Sequence, residues 1–291
     1  MVVLAVLCLP GAASASPAFD AAAAARSAGF GPLAERAARA ARPRVRVGRV
    51  AIKLPRVLGT SRLGGPPDLP VGTRWPSCRG RPQTFLGQLR VRDLPASAGS
   101  LRRAGGRLWV FTHVEFETAD TVYGLWAGEC TRVIHAPIGT QLRRTPRPRL
   151  TMRLRPASLR YRVATDIPDV GITDRLSSPL QDVVLPAERP EAWWQMRARL
   201  NGDEPYDRRD PVWGEGGHRL LGYVDAPNGA ESPCWNLTQK VAAPWRHLLT
   251  IGTDSVLGFE VADGGRLQLA ISPRDLARGR FDRVCGIFDS A

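Results

Sequence analysis

Few residues in this chain are placed to do chemistry, and the clearest of them is a histidine. His218 opens a His-Arg-Leu-Leu-Gly turn. An imidazole there either meets a ligand or acts as a base, or it hydrogen-bonds the backbone and locks the turn. It is the single catalytic candidate. His113, Glu115 and Glu117 alternate along one run and so share a face. One imidazole and two carboxylates make a metal-ligand set, but the same pattern describes the polar side of a sheet edge, and no metal site is assigned. Asp254 and Asp275 read as turn and cap residues. The chain has no Gly-x-Ser-x-Gly elbow, phosphate loop or dinucleotide fingerprint, so no cofactor is expected. Gly64-Gly65 and Gly264-Gly265 are too short to cradle a phosphate and read as tight turns before strands.

Charge is the second signal. The formal net charge is +14, and Lys53 and Lys240 are the only lysines, so 41 minus 2 leaves 39 arginines. Between Glu129 and Asp166 there is no acidic residue, while arginines recur from Arg132 to Arg162. Leu150, Met152 and Leu154 alternate with Arg153 and Arg155, a pattern that predicts a strand with an arginine outer face. Guanidinium forks suit phosphate and carboxylate groups. Arg153 and Arg155 are therefore candidate ligands for an anionic surface or polymer, with no specific nucleic-acid motif. The competing reading is a solvated face, because abundant Ala, Arg, Gly and Pro are what a GC-rich genome encodes.

The N-terminus and the cysteines point to export. Val2 to Leu9 is apolar, Pro10-Gly11 breaks the run, and small residues follow to Ser16. That order predicts a secretory signal over residues 1–15 and an extracytoplasmic protein, although no Lys or Arg precedes the run. Cys8 follows Leu7, which does not suit lipidation. Four cysteines remain after cleavage: Cys78, Cys130, Cys234 and Cys285. An even, widely spaced set fits two disulfides in an oxidising compartment, and the spacing does not suit zinc. Beyond the signal there is no apolar run long enough to span a membrane.

The elements that must position these residues are legible in outline. Residues 19–42 read as helix, split at Gly29 and Gly31, with Pro32 in the first turn of the second piece. Residues 44–54 alternate as a strand. Gly- and Pro-rich turns fill 61–76, and Phe85–Leu89 and Arg107–Glu117 read as strands. Further helices are predicted over about 189–200, carrying Trp193 and Trp194 with at least one partly exposed, and over about 273–279 behind the cap Ser272.

Several segments stand in a distinctive order: Leu63-Gly64-Gly65-Pro66-Pro67-Asp68-Leu69-Pro70, Trp75-Pro76, Phe85-Leu86-Gly87-Gln88, Asp93-Leu94-Pro95, then Gly105-Gly106 opening a strand. His218 to Gly222, Trp245 to Leu249, Thr253-Asp254-Ser255, Gly264 to Leu267 and Asp275-Leu276 continue it. In this the chain resembles the YwqG-like family, a bacterial domain family of unknown function, over about 60–118 and 210–285. Thr250 and Ile251 stand where relatives usually carry Gln. The resemblance divides the chain into the signal, a segment 16–60 with helices and a first strand, and a domain over 61–291.

The two matched parts also resemble each other. Each runs from a strand through a connection to a Gly-Gly-Arg-Leu-led strand, which predicts an internal duplication with halves at about 61–165 and 210–288. The expected fold is α+β: antiparallel sheets from two related halves, with peripheral helices. If each disulfide falls within one matched half, the pairs are Cys78–Cys130 and Cys234–Cys285. The expected function is a non-catalytic binding or interaction module, and the alternative is an enzyme using a groove near His218.

Overall fold

The computed structural model describes residues 16–114, 130–168, 189–202, 217–224, 245–260 and 264–289, together with Leu180, Val183, Leu185 and residues 212–213. Ser16 starts the first helix, its side chain accepting the Phe19 N–H at 3.3 Å with Pro17 at the first position. The alanine-rich run forms α1 (Pro17–Ser27) and, after a turn through Gly29 at φ 78°, α2 (Ala34–Ala40). The chain then extends as β1 (Arg42–Ala51).

The Gly- and Pro-rich stretch yields only short strands: β2 (Arg62–Leu63), β3 (Asp68–Pro70), β4 (Ser77–Cys78) and β5 (Arg81–Pro82). Longer strands follow where β-branched and aromatic residues recur, β6 (Thr84–Arg90), β7 (Arg107–Thr112), β8 (Thr131–Ala136) and β10 (Ala157–Asp166), with the helix α3 (Gly99–Ala104) and the short β9 (Leu142–Arg144) between them. The remainder contributes α4 (Pro190–Asn201), β11 (Arg219–Leu221), β12 (Arg246–Gly252), β13 (Arg266–Ile271), α5 (Pro273–Ala277) and β14 (Cys285–Asp289). Gly202 ends α4 in the left-handed region, and the Ser272 side chain caps α5 by accepting the Asp275 N–H at 3.0 Å.

The strands make a large antiparallel sheet in the order β14-β13-β12-β11-β1-β10-β2-β6-β7-β8. Its centre is the ladder β1–β10, in register from Arg42 opposite Asp166 to Ala51 opposite Ala157. Four strands lie on each side. In the first flank Arg62 and Leu63 oppose Gln88 and Gly87; in the second Arg219 and Leu220 oppose Thr250 and Leu249. The pairs β6–β7 and β12–β13 each carry one bulge near the start of the first strand, at Phe85/Gly87 and His247/Leu249.

One core is shared by both flanks and the centre, including Val45, Val47, Leu86, Leu108, Leu249 and Leu267. The ends of the sheet approach each other: the His135 ring on β8 lies 5.0 Å from Phe281, and α3 packs on α5. A second core holds α1, α2 and α4 together, with Trp193 fully buried edge-on to Phe30 at 5.2 Å. Trp194 is 52% exposed. A disulfide joins Cys78 to Cys130 with Cα atoms 5.5 Å apart, fastening the β4–β5 hairpin to the start of β8. Closing that 52-residue span is worth roughly 4 kcal/mol in the chain-entropy model. Cys285 is also disulfide-bonded. The expected partner Cys234 lies outside the described residues, as do Glu115, Glu117 and the signal segment.

The strand expected over Leu150–Arg155 does not form. Pro146, Pro148 and Pro156 bracket the segment and deny it a regular ladder. Its backbone is spent on other elements: Leu154 accepts from Gly65 N–H at 2.9 Å, Arg155 N–H donates to Leu257 at 2.8 Å, and Met152 N–H donates to the Thr84 hydroxyl at 3.1 Å. Among the described residues, no helix is long and apolar enough to cross a membrane.

Candidate functional site

Three buried carboxylates organise the polar interior. Asp254 sits in the tight turn after β12, where its own Oδ1 accepts the N–H groups of Val256 at 2.8 Å and Leu257 at 3.2 Å. Its Oδ2 receives Arg49 Nε from β1 at 2.5 Å and His218 Nε2 at 2.9 Å. Burial pushes the Asp254 carboxyl up, but the hydrogen bonds from His218 and Arg49 outweigh it and hold the group below its ordinary range. On the far side of the imidazole, Nδ1 accepts the Gly252 N–H at 3.3 Å. The ring proton therefore resides on Nε2, and both ring nitrogens are engaged. His218 is 4% exposed, and the void it lines with Val47, Leu63, Leu159 and Leu249 is apolar and about 10 Å³, the size of one water.

Asp68, at the start of β3, is fully buried. It accepts from Arg62 Nη1 at 2.7 Å, Arg144 Nε at 2.8 Å, the Gly59 N–H at 2.9 Å and Gln88 Nε2 at 3.0 Å. Gln88 returns the contact by accepting the Asp68 N–H at 2.9 Å. Burial raises the carboxyl, and the bonds from Arg144 and Arg62 bring it below the usual range.

Asp166 behaves oppositely. Burial raises its carboxyl in spite of attraction to Arg44, Arg197 and Arg219 and the Tyr223 N–H at 2.7 Å. The Asn201 amide, from the end of α4, donates to Asp166 at 3.0 Å and accepts from Arg44 at 2.8 Å. Gly222 packs so closely on Asp166 that a Cβ there would collide with the carboxylate.

The outer face of β1–β10 is chemically different. At the Asp166 end, α4 covers it through Asn201. At the other end Arg160 and Arg162 are exposed, with Arg162 directly opposite Arg46 and Arg160 opposite Gly48. Trp213 lies over this end. The Arg162 guanidinium is 4.7 Å from its ring centroid and that of Arg46 is 5.5 Å, while Arg46 Nη2 donates to the Trp213 carbonyl at 3.4 Å.

The sequence candidates therefore separate. His218 and Asp254 come together in the interior, and Asp254 is more than a turn residue. Asp275 stays a cap, receiving the Ser272 hydroxyl at 2.8 Å. Arg153 and Arg155 are both exposed, on an irregular segment instead of a strand, and Arg155 Nη2 donates to the Ser255 carbonyl at 3.0 Å. His113 is buried. Among the described residues no group of His, Cys, Asp or Glu is clustered to hold a metal. Asp68 is visible in the sequence only as part of the Leu63–Pro70 motif, and Arg49 and Trp213 carry no signal of their roles there. Arg49 and Asp254 are 205 positions apart, and only the fold joins them.

Residues 61–289 match a family model described as Domain of unknown function (DUF1963). No curated protein matches the chain.

Proposed function

The chain belongs to the DUF1963 family of domains of unknown function, and we propose that it is a non-catalytic binding or interaction module. The observation that carries this reading is the state of His218. Its two ring nitrogens are committed to Asp254 and Gly252, and the space beside it holds about 10 Å³. A general base needs a substrate proton within hydrogen-bond reach, and among the described residues the space beside the imidazole holds about one water. Asp68 and Asp254 are likewise saturated with donors from their own fold. Native mass spectrometry of the purified full-length chain tests the proposal. We expect no stoichiometric small metabolite; a retained one would overturn the reading in favour of an enzyme.

Three finer proposals accompany it. The order of motifs from Leu63 to Pro95 supports placing the chain with YwqG-like members of the family. The matching strand order, register and bulge of the two flanks support their origin by duplication. The Cys78–Cys130 bridge favours an oxidising, extracytoplasmic location for the module.

A further inference from the structure

We propose that the rim of the first flank where β6 ends and β7 begins, built on Arg107 with Arg90 and Arg92, binds a doubly charged oxyanion of the phosphate type. The inference rests on the module reading above and names a ligand chemistry for it. Leu89 and Leu108 turn into the shared core, so Arg90 and Arg107, next to them along each strand, face outward together. They are direct cross-strand neighbours of like charge, an arrangement that weakens a sheet. The 3-10 turn Val91–Asp93 is fastened beside them by the Val91 N–H, which donates to the Gly106 carbonyl at 3.0 Å. That turn carries Arg92, which is exposed.

The one carboxylate of this group is already engaged. Asp93 Oδ1 accepts from Arg90 Nε at 2.8 Å, and its Oδ2 accepts from the Ser61 hydroxyl at 2.7 Å. Arg107 and Arg92 pair with no carboxylate among the described residues. Arg107 is half-buried, and its Nε and Nη1 are sealed from solvent without an acceptor. Gly59 lies against that guanidinium, where a Cβ would come within 2.7 Å of Nε. Thr60 Oγ1, one position on, is likewise sealed and without a partner. Burial pushes the Arg107 guanidinium down, the charges of Arg90 and Arg92 add to this, and Asp93 opposes them. An anion set among the three arginines offsets this charge and relieves the cross-strand repulsion.

Charge and geometry narrow the ligand. Three guanidiniums less one carboxylate leave two positive charges, which match a phosphate or phosphomonoester at neutral pH, with its charge of about −1.5 to −2. Guanidinium forks take phosphate oxygens through paired N–H bonds. A phosphodiester of single-stranded nucleic acid brings one charge and binds with free aromatic platforms for its bases, whereas Trp109, on the same face of β7, is fully buried.

The test uses the full chain and inorganic phosphate, titrated calorimetrically at neutral pH against chloride of matched ionic strength. We expect wild type to bind phosphate saturably. Arg107→Met keeps an unbranched stem and removes the fork. It should lose about tenfold or more in affinity and, without phosphate, melt no lower than wild type, because the like-charged pair is gone. Arg92→Ser should lose about threefold, and Arg149→Ser, exposed in the turn after β9, should match wild type. Vesicles of phosphatidylcholine with and without phosphatidic acid separate two sources of the same chemistry. Binding to the acidic vesicles that Arg107→Met abolishes assigns a lipid headgroup; phosphate binding without vesicle binding assigns a soluble phosphate. Absence of saturable phosphate binding by wild type overturns the inference. Unchanged affinity in Arg107→Met and Arg92→Ser, or an equal loss in Arg149→Ser, overturns the site. The module reading stands through each of these outcomes and falls only to the retained metabolite of the mass measurement, since phosphate at a solvent-facing rim exchanges with buffer.

Discussion

The two flanks of the sheet meet the central ladder in mirrored order, yet each secures its buried carboxylate differently. In the first flank, Asp68 is held by Arg62 on β2, Arg144 on β9 and Gln88 on β6, all from the same side of the ladder. In the second, Asp254 reaches across to Arg49 on β1 and to His218 beside β11. The first fastener ties the separate β3–β9 ribbon to its flank; the second ties its flank to the centre. The turns after β2 and β11 differ in the same spirit. Gly64 and Leu221 occupy matching places at φ 61° and 63°. Gly64 has no room for a side chain, because a Cβ would strike the Arg155 carbonyl. Leu221 tolerates the left-handed region, and its carbonyl accepts from His247 at 2.7 Å. A shared pattern of strands thus accommodates different local chemistry.

The largest expected effect breaks the comparison altogether. A chain beginning at residue 61 keeps the whole family-matched region but lacks β1, the strand that pairs with both β10 and β11. Circular dichroism on heating should show no cooperative transition. A stable cooperative fold would mean that the flanks do not depend on the centre.

Asp254→Asn and Asp68→Asn sharpen it. Each leaves a buried arginine without its counter-charge, a loss on the order of 3–5 kcal/mol. Hydrogen exchange should distinguish them: Asp254→Asn loosens β11 to β14 together with β1, and Asp68→Asn loosens β2, β3, β6 and β9 first. The same pattern from both variants would contradict the difference between fasteners. A smaller contrast lies in the turns. Gly64→Ala should cost about 2–4 kcal/mol from backbone strain and overpacking, whereas Leu221→Gly should change stability by about 1 kcal/mol or less, since relief of strain offsets lost packing. Equal losses in chemical denaturation would refute the distinction.

The smallest effect concerns Asp166, which belongs to neither flank. Its carboxyl is raised by burial, so its protonated form favours the fold, and that contribution is lost as pH rises through the folded value. Asp68 and Asp254 are lowered; their contribution is present above the usual carboxylate range near 4 and is lost only as pH falls through their folded values. The stability of Asp166→Asn relative to wild type should therefore grow as pH rises from about 4 toward the folded value. A difference that shrinks over that interval would contradict the assignment.

Much of this was legible in sequence where the signal is local. Gly29, Pro32, Ser272 and Gly202 mark helix ends by backbone conformation and capping, and the split N-terminal helix and α4 formed accordingly. Phe85–Leu89 and the Gly-Gly-led strands formed with their partners. Leu150–Arg155 misled because alternation alone does not secure ladder partners, and three nearby prolines redirect the segment. The interior site was not legible as a site. His218 and Asp254 were each visible, but Arg49 looked like one more alternating arginine, and nothing short of the β1–β11 pairing brings it to them. Trp213 carried no local signal, since its role follows from its place over a ladder formed by distant strands.

His218 is sealed into a fastener, with both ring nitrogens engaged and the residue buried. Diethylpyrocarbonate acylation of the native full-length chain, followed by peptide mass mapping, measures that directly. We predict that His218 stays unmodified while the half-buried His135 reacts, and that His218 becomes reactive only after unfolding in denaturant. Acylation of His218 in the folded protein at a rate comparable to His135 would contradict the account.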